Sequence, residues 1–289
     1  MRYTSLALFF FLAGSPAQAQ PAVSSGTWTA DIRADRVYLE LRTSLGNRDG
    51  SDRPSSNGQS VAPGELAGLP AGGQSLSAGN VTFELRREAG TFVFDGAFRR
   101  GQGAGLFIFT PRVEYAAELK ALGYSVDLPL WRQFQLAFRD VGPRYIRALK
   151  SEGFDTLTFD DIERGRNHGV TIEYIATLKA RGYRGLAWDT LVRTRDHGVT
   201  ASFIEGLEEA GFKDLPLDQL VRAKDHGVSP EYIADMKELG FADLTLTELV
   251  RLRDHGVTPG FVNHIRARGY KDSTVEEVIR LKDRGLWRE

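Results

Sequence analysis

The sequence of 289 residues predicts an α+β protein: a small antiparallel β sandwich or partly open barrel, followed by a solenoid of about six αα-hairpin units. Two observations lead there. Between Gly26 and Phe109 apolar residues recur at spacing two, the period of a strand with one buried face. Further on, His-Gly-Val returns at a 29-residue interval, at His168-Gly169-Val170, His197-Gly198-Val199, His226-Gly227-Val228 and His255-Gly256-Val257. A constant period of that size marks one supersecondary unit that has been copied and stacked.

The chain opens with Arg2, an apolar run from Leu6 to Ala13, and small residues ending in Ala17-Gln18-Ala19. This order is that of a secretory signal peptide, residues 1–19, cut before Gln20, and the expected location is periplasmic or secreted. Glutamine at position 20 is not the cysteine that a lipid anchor needs. The run is too short to span a bilayer, and no later segment is apolar enough to be transmembrane. Cysteine is absent, so stability is expected from burial rather than disulfides. Residues 1–110 hold ten Lys+Arg against nine Asp+Glu, and residues 111–289 hold 27 against 29. Neither part carries the basic excess of a nucleic-acid or anionic-membrane binder.

Residues 20–110 are expected to form the β-rich domain. Val37, Leu39 and Leu41 alternate with polar neighbours, as do Val81, Phe83 and Leu85; Phe92, Phe94 and Phe98 follow, then Leu106 to Phe109. Glu88-Ala89-Gly90 and Arg100-Gly101-Gln102-Gly103 read as tight hairpin connections, making the last three strands an antiparallel meander. The stretch 44–79, rich in Gly, Ser, Pro and Asp, reads as a long loop with one short helical turn or strand. Five or six strands are expected. Trp28 and the phenylalanines are expected to fill the core rather than to line a ligand cavity.

Residues 111–289 are expected to be the repeat domain, with Thr110-Pro111 capping its first helix. In one unit, Thr245 caps a helix with Glu248 three residues on, and Leu246, Leu249, Val250 and Leu252 face inward. Gly256 sits where the chain must turn left-handed, Val257 packs back, Thr258 caps a second helix with Pro259 at its first position, and Phe261, Val262 and Ile265 form its buried stripe. Thr171, Thr200 and Ser229 repeat that second cap. Gly123, Gly153, Gly182, Gly211, Gly240 and Gly269, each followed by Tyr or Phe, end the second helices, which gives six helices of each kind. The segment Leu136 to Pro143 lacks the histidine and reads as a terminal unit with a shorter turn.

The recurring Asp-His invites a metal or acid–base reading at His168, His197, His226 and His255. Equivalent residues on stacked helices lie about 8–10 Å apart, too far to share a zinc ion, and adjacent Asp and His on one helix point about 100° apart. A cationic residue in the last helical turn complements the helix dipole, so these histidines are expected to be structural. Nucleophile motifs, phosphate loops and dinucleotide fingerprints are absent. No cofactor and no catalytic residue are expected.

The segment Asp225 to Phe241, Asp-His-Gly-Val-Ser-Pro-Glu-Tyr-Ile-Ala-Asp-Met-Lys-Glu-Leu-Gly-Phe, resembles helical repeats of exported bacterial proteins. It is also similar to repeats in the extracytoplasmic tails of membrane zinc peptidases of the beta-lactam-sensor type. The likeness covers about 180 residues. This chain lacks the membrane helices and the zinc motif of those peptidases, so the resemblance implies sensing or interaction at the cell envelope and transfers no catalytic residue.

The expectation is therefore an exported, non-enzymatic scaffold for an envelope protein or peptide, accessory to envelope sensing or signalling. Its partner face is expected along Lys179, Glu208, Lys237 and Arg266, which share one repeat position. The rival is a small-ligand carrier or enzyme with a site in the β-domain or at its junction with the helices. A deep pocket lined by Trp28, Tyr38 and phenylalanines would favour the rival.

Overall fold

The computed structural model describes residues 24–33, 36–44, 55–69 and 79–286. The expected signal peptide, most of the expected 44–79 loop and Trp287 lie outside them. Within them the chain is α+β, a curled antiparallel half-barrel of seven strands followed by twelve helices. It divides into two compact units, Met1–Gly142 and Pro143–Glu289.

The strands are β1 (Ser24–Arg33), β2 (Arg36–Thr43), β3 (Ser55–Val61), β4 (Leu66–Ala67), β5 (Gly79–Arg87), β6 (Gly90–Arg99) and β7 (Gln102–Pro111). Their order across the sheet is β3-β2-β1-β7-β6-β5-β4, with every neighbouring pair antiparallel. Arg100 and Gly101 link β6 to β7 with φ of 53° and 80°, the two-residue hairpin turn whose twist matches that of its strands. The strand count exceeds the five or six expected. The 44–79 region holds β3, a 3₁₀ turn at Pro63–Glu65 and β4, more than the single short element expected there. β3 was hard to see because Ser55-Ser56-Asn57-Gly58-Gln59-Ser60 has no apolar alternation; backbone pairing with β2, from Val37↔Val61 to Thr43↔Ser55, holds it as an edge strand.

One face of the sheet is an aromatic core. Trp28, Phe83, Phe92, Phe94, Phe98, Phe107 and Phe109 are each at most 1 % exposed. Trp28 meets Phe83 edge-on at 5.2 Å between centroids, and Phe83 stacks on Phe94 at 4.6 Å. Gly96 and Gly105, partners across β6–β7, make room for the indole: a Cβ on either would come within 2.8 Å of Trp28. The indole Nε1 donates to the Asp95 carbonyl at 3.2 Å. Each such ring contributes about 1.5–3 kcal/mol through burial.

Two helices, α1 (Tyr115–Ala121) and α2 (Leu130–Phe138), belong to this first unit. Phe134 lies 5.3 Å from Phe92 and 5.4 Å from Phe109, and Phe138 lies 5.9 Å from Phe92, so α2 completes the aromatic core. Polar contacts fix it there. Gln133 Nε2 donates to the carbonyls of Ala89 (2.8 Å) and Arg112 (2.9 Å), Gln59 Nε2 to that of Phe138, and Arg139 Nη1 to that of Gly58 (3.1 Å). Thr110 and Pro111 do not cap a helix. They continue β7, paired with Thr91 and Gly90, and α1 starts after Glu114 without a side-chain cap.

The second unit contains α3 (Pro143–Ser151), α4 (Phe159–Asn167), α5 (Ile172–Ala180), α6 (Trp188–Asp196), α7 (Ala201–Glu209), α8 (Leu217–Asp225), α9 (Pro230–Glu238), α10 (Leu246–Asp254), α11 (Pro259–Ala267) and α12 (Val275–Asp283). Like packs on like: α3, α5, α7, α9 and α11 form one row, and the even-numbered helices from α4 to α12 form the other. The side chains of Thr171, Thr200, Ser229 and Thr258 accept from the backbone N–H three residues on, and Thr245 with Glu248 forms the expected reciprocal box. Apolar residues supply the interior, as Leu249, Val250, Leu252, Phe261, Val262 and Ile265 do in one unit, each at most 1 % exposed. Helices this short are unstable alone and take their order from the neighbouring unit.

The turn after α2 is not shortened. Arg139-Asp140-Val141 occupies the place of His168-Gly169-Val170, with Asp140 at φ 57° standing where the others have glycine. Val141 N–H reaches the Leu136 carbonyl at 2.9 Å just as Val170 N–H reaches that of Gly165 at 2.8 Å. Only the residue identities differ, so α2 keeps the 29-residue spacing to α4.

Candidate functional site

The His-Gly-Val steps build a ladder along the second unit. At each, histidine ends a helix, glycine turns left-handed (φ 79°, 69°, 70° and 67° for Gly169, Gly198, Gly227 and Gly256), and valine folds back, buried. Gly256 N–H reaches the Arg253 carbonyl at 2.8 Å and Val257 N–H that of Leu252 at 2.9 Å, which satisfies two of the helix's terminal carbonyls.

The imidazoles then reach across to the next unit. His197 Nδ1 lies 2.6 Å from Asp225 Oδ1 and His255 Nδ1 lies 2.9 Å from Asp283 Oδ1; His168 pairs with Asp196 and His226 with Asp254 in the same way. An ionised aspartate only accepts, so Nδ1 carries the hydrogen in each rung. Sequence reasoning had rightly set aside a pair between adjacent Asp and His, but missed that each His pairs with the Asp one unit further on. The signal was present at both ends. Asn167 precedes His168, and the residue 28 positions before Asn167 is Arg139 rather than histidine; Asp283 precedes Arg284 rather than histidine, and it lies 28 positions after His255. Each rung is a two-member contact with both side chains between 36 % and 51 % exposed. Among the described residues no three His, Cys, Asp or Glu side chains converge as a metal site would require.

A second set of rungs lies beside the first. Arg195 sits over the Tyr174 ring (4.9 Å to the centroid), Lys224 over Phe203 (4.8 Å), Arg253 over Tyr232 (4.9 Å) and Lys282 over Phe261 (4.8 Å), with Arg166 over Tyr145 at 5.2 Å. In these five rungs tyrosine takes arginine and phenylalanine takes lysine. The glycine turns give these cations passage: a Cβ on Gly169 or Gly227 would come within 2.9 Å of Arg195 or Arg253. The tyrosine hydroxyls go inward, Tyr145 donating to Val170 O (2.7 Å), Tyr232 to Val257 O (3.2 Å) and Tyr174 to Thr194 Oγ1 (2.9 Å). Burial pushes the Tyr232 hydroxyl up to about 12 and raises those of Tyr145 and Tyr174.

The four residues expected as a partner face lie along the second helices, where most reach back one unit. Lys237 Nζ donates to the Ala210 carbonyl at 2.6 Å, Arg266 to that of Leu239, and Lys179 to the carbonyl and carboxylate of Glu152. Glu208 faces Arg181 at 3.7 Å. Each of the three cations meets the C-terminal end of the preceding second helix, where the dipole favours it. His264, expected as an ordinary surface residue, is half-buried and accepts from Arg268 Nη1 at 2.9 Å.

In the first unit, Trp28 and Tyr38 stand on opposite faces of the sheet. Trp28 pairs with Leu41 on the aromatic face, whereas Tyr38 is opposite Asp31 on the other and is 45 % exposed. That outer face carries an open groove of about 820 Å³. Its floor is the cross-strand run Ala97, Ala104 and Thr29, flanked by Asn80 on β5 and Glu40 on β2. One step along, Arg99, Gln102, Asp31 and Tyr38 form a second run over four strands.

No helix among the described residues is long and apolar enough to cross a membrane. No protein-family model matches this chain, and no curated protein matches it.

Proposed function

We propose that this chain is an exported, non-enzymatic scaffold that holds an envelope protein or peptide along the exposed face of its second helices, as an accessory of envelope sensing. One observation carries the reading: the residues repeated with little change turn toward neighbouring units, while exposed positions on the same helices vary. His, Asp, Gly and Val of each step are spent on the ladder. Ala176, Glu205, Ala234 and Asn263, equivalent and exposed on α5, α7, α9 and α11, present a methyl at two positions, a carboxylate at one and an amide at one. Invariant inner contacts keep a stack rigid, and a varied outer row is how solenoids acquire a particular partner. Lys179, Glu208, Lys237 and Arg266 form the edge of this row and stiffen it. The near-equality of charge in the repeats favours a protein or peptide over nucleic acid.

The test is photo-crosslinking from Glu205, Ala234 and Asn263 in the full chain against solubilised envelope proteins. A single protein captured from neighbouring positions supports the scaffold. Crosslinks to no protein from any of the three, with the chain folded, would sink it.

A further inference from the structure

The groove on the outer face of the sheet is a place where four hydrogen-bonding side chains converge with nothing to bond. Tyr38, Asn80, Arg99 and Gln102 have no hydrogen-bond or ionic partner among the described residues, and they come from four different strands. The floor beneath them is kept low by Ala97 and Ala104. On a sheet face open to water, long side chains ordinarily fill such a trough; here residues with a single methyl occupy its middle. Tyr38 leans over Gly58 of β3, where a Cβ would lie 3.0 Å from the ring carbon bearing the hydroxyl, so the absence of a side chain at 58 leaves the ring its place.

The chemistry of the rim narrows the ligand. Asp31 is held by Arg33 at 2.7 Å, and Glu40 by Arg42 at 3.2 Å and by Ser56 at 2.5 Å, so the two carboxylates are largely compensated and the groove carries no strong charge of either sign. Two amides, each both donor and acceptor, stand with a guanidinium donor and a phenol. Tyr38 is 45 % exposed, and there is no deep apolar wall, since Phe98 is 1 % exposed. A fatty or aromatic ligand would leave the amides unsatisfied, and an anion would find Arg99 alone, with no second cation in the groove to clamp it. A neutral ring whose hydroxyls donate and accept at once, and whose C–H face lies flat on a phenol, matches every group.

The geometry points to a saccharide-binding site on the outer face of the sheet, with Tyr38 as the platform, Asn80, Arg99 and Gln102 as the hydroxyl-reading groups, and Ala97 and Ala104 as the floor. The groove, about 820 Å³, falls within the range of small-molecule sites and has room for two sugar rings. This site is formed by residues of the first unit and the helical partner face by residues of the second, so a failure to find a protein partner leaves it untouched.

The test is isothermal titration of the full chain with three neutral oligosaccharides: chitotetraose, cellotetraose and maltotetraose. One of them is expected to bind with a stoichiometry near one. Tyr38→Ala should weaken it about tenfold or more, and Ala104→Trp, which fills the floor, should abolish it, while Lys213→Ala, an exposed position in the second unit, binds as the parent does. Gln102→Ala and Asn80→Ala, both exposed, carry the test if Tyr38→Ala does not fold by circular dichroism. Absence of heat with all three sugars at millimolar concentration overturns the proposal. So does binding that is indifferent to the rim and floor substitutions.

Discussion

The two units solve the problem of burial in opposite ways. In the first, Phe92 touches Phe94, Phe107, Phe109, Phe134 and Phe138, which come from β6, β7 and a helix well along the chain. In the second, the side-chain contacts that link one repeat to the next join residues about 20 to 28 positions apart and recur along the ladder. The sheet therefore stands or falls as a whole, whereas the ladder is a sum of similar interfaces between neighbours. A defect in one should spread and in the other should stay local.

The largest expected effect is in the sheet. Phe92→Ala should cost the first unit about 3–5 kcal/mol, read from the shift of its urea unfolding midpoint. A loss under 1 kcal/mol would show that this core is not shared among its rings. Next, Gly227→Ala forces a side chain into a left-handed turn and against Arg253, at an expected cost of about 1–2 kcal/mol. Hydrogen exchange should accelerate in α8 to α10 and leave the sheet unchanged; acceleration throughout the chain would contradict a local interface.

A finer cut tests the pairing rule of the aromatic rungs. Tyr232→Phe and Arg253→Lys should each cost about 1 kcal/mol, the first by removing the hydrogen bond to Val257 O. Together they recreate the Phe–Lys rung found at Phe203 and Lys224, and the double variant should recover at least about 0.5 kcal/mol of the summed loss. Strict additivity would mean that the matched pairs are coincidence. The smallest effect belongs to the imidazole rungs: Asp254→Asn should cost under about 1 kcal/mol because both partners are partly solvated. A cost of several kcal/mol would mark that rung as something more than a surface contact.

What could be read from the sequence follows the same division. Caps and stops are local chemistry, so Thr245, Gly256, Val257 and Thr258 declared their roles in one stretch of chain. Alternation likewise revealed β2 and β5 to β7. β3 stayed hidden because a polar edge strand is defined by its partner's backbone and not by its own side chains. The His–Asp rungs were missed for a related reason: the residues are neighbours in sequence to the wrong partner, and only the offset endings at Asn167 and Asp283 disclose the true one. The groove depends on which residues fall on the outer face across five strands, a register that no single strand specifies.

The stagger of the imidazole ladder bears on how such an array can change its length. Because each unit donates a histidine forward and an aspartate backward, loss or gain of one whole 29-residue segment by unequal recombination rejoins a forward half to a backward half. No rung is left broken at the seam. The number of units can thus drift between generations while the specialised ends, Arg139 with Asn167 and Asp283 with Arg284, continue to close whatever lies between them.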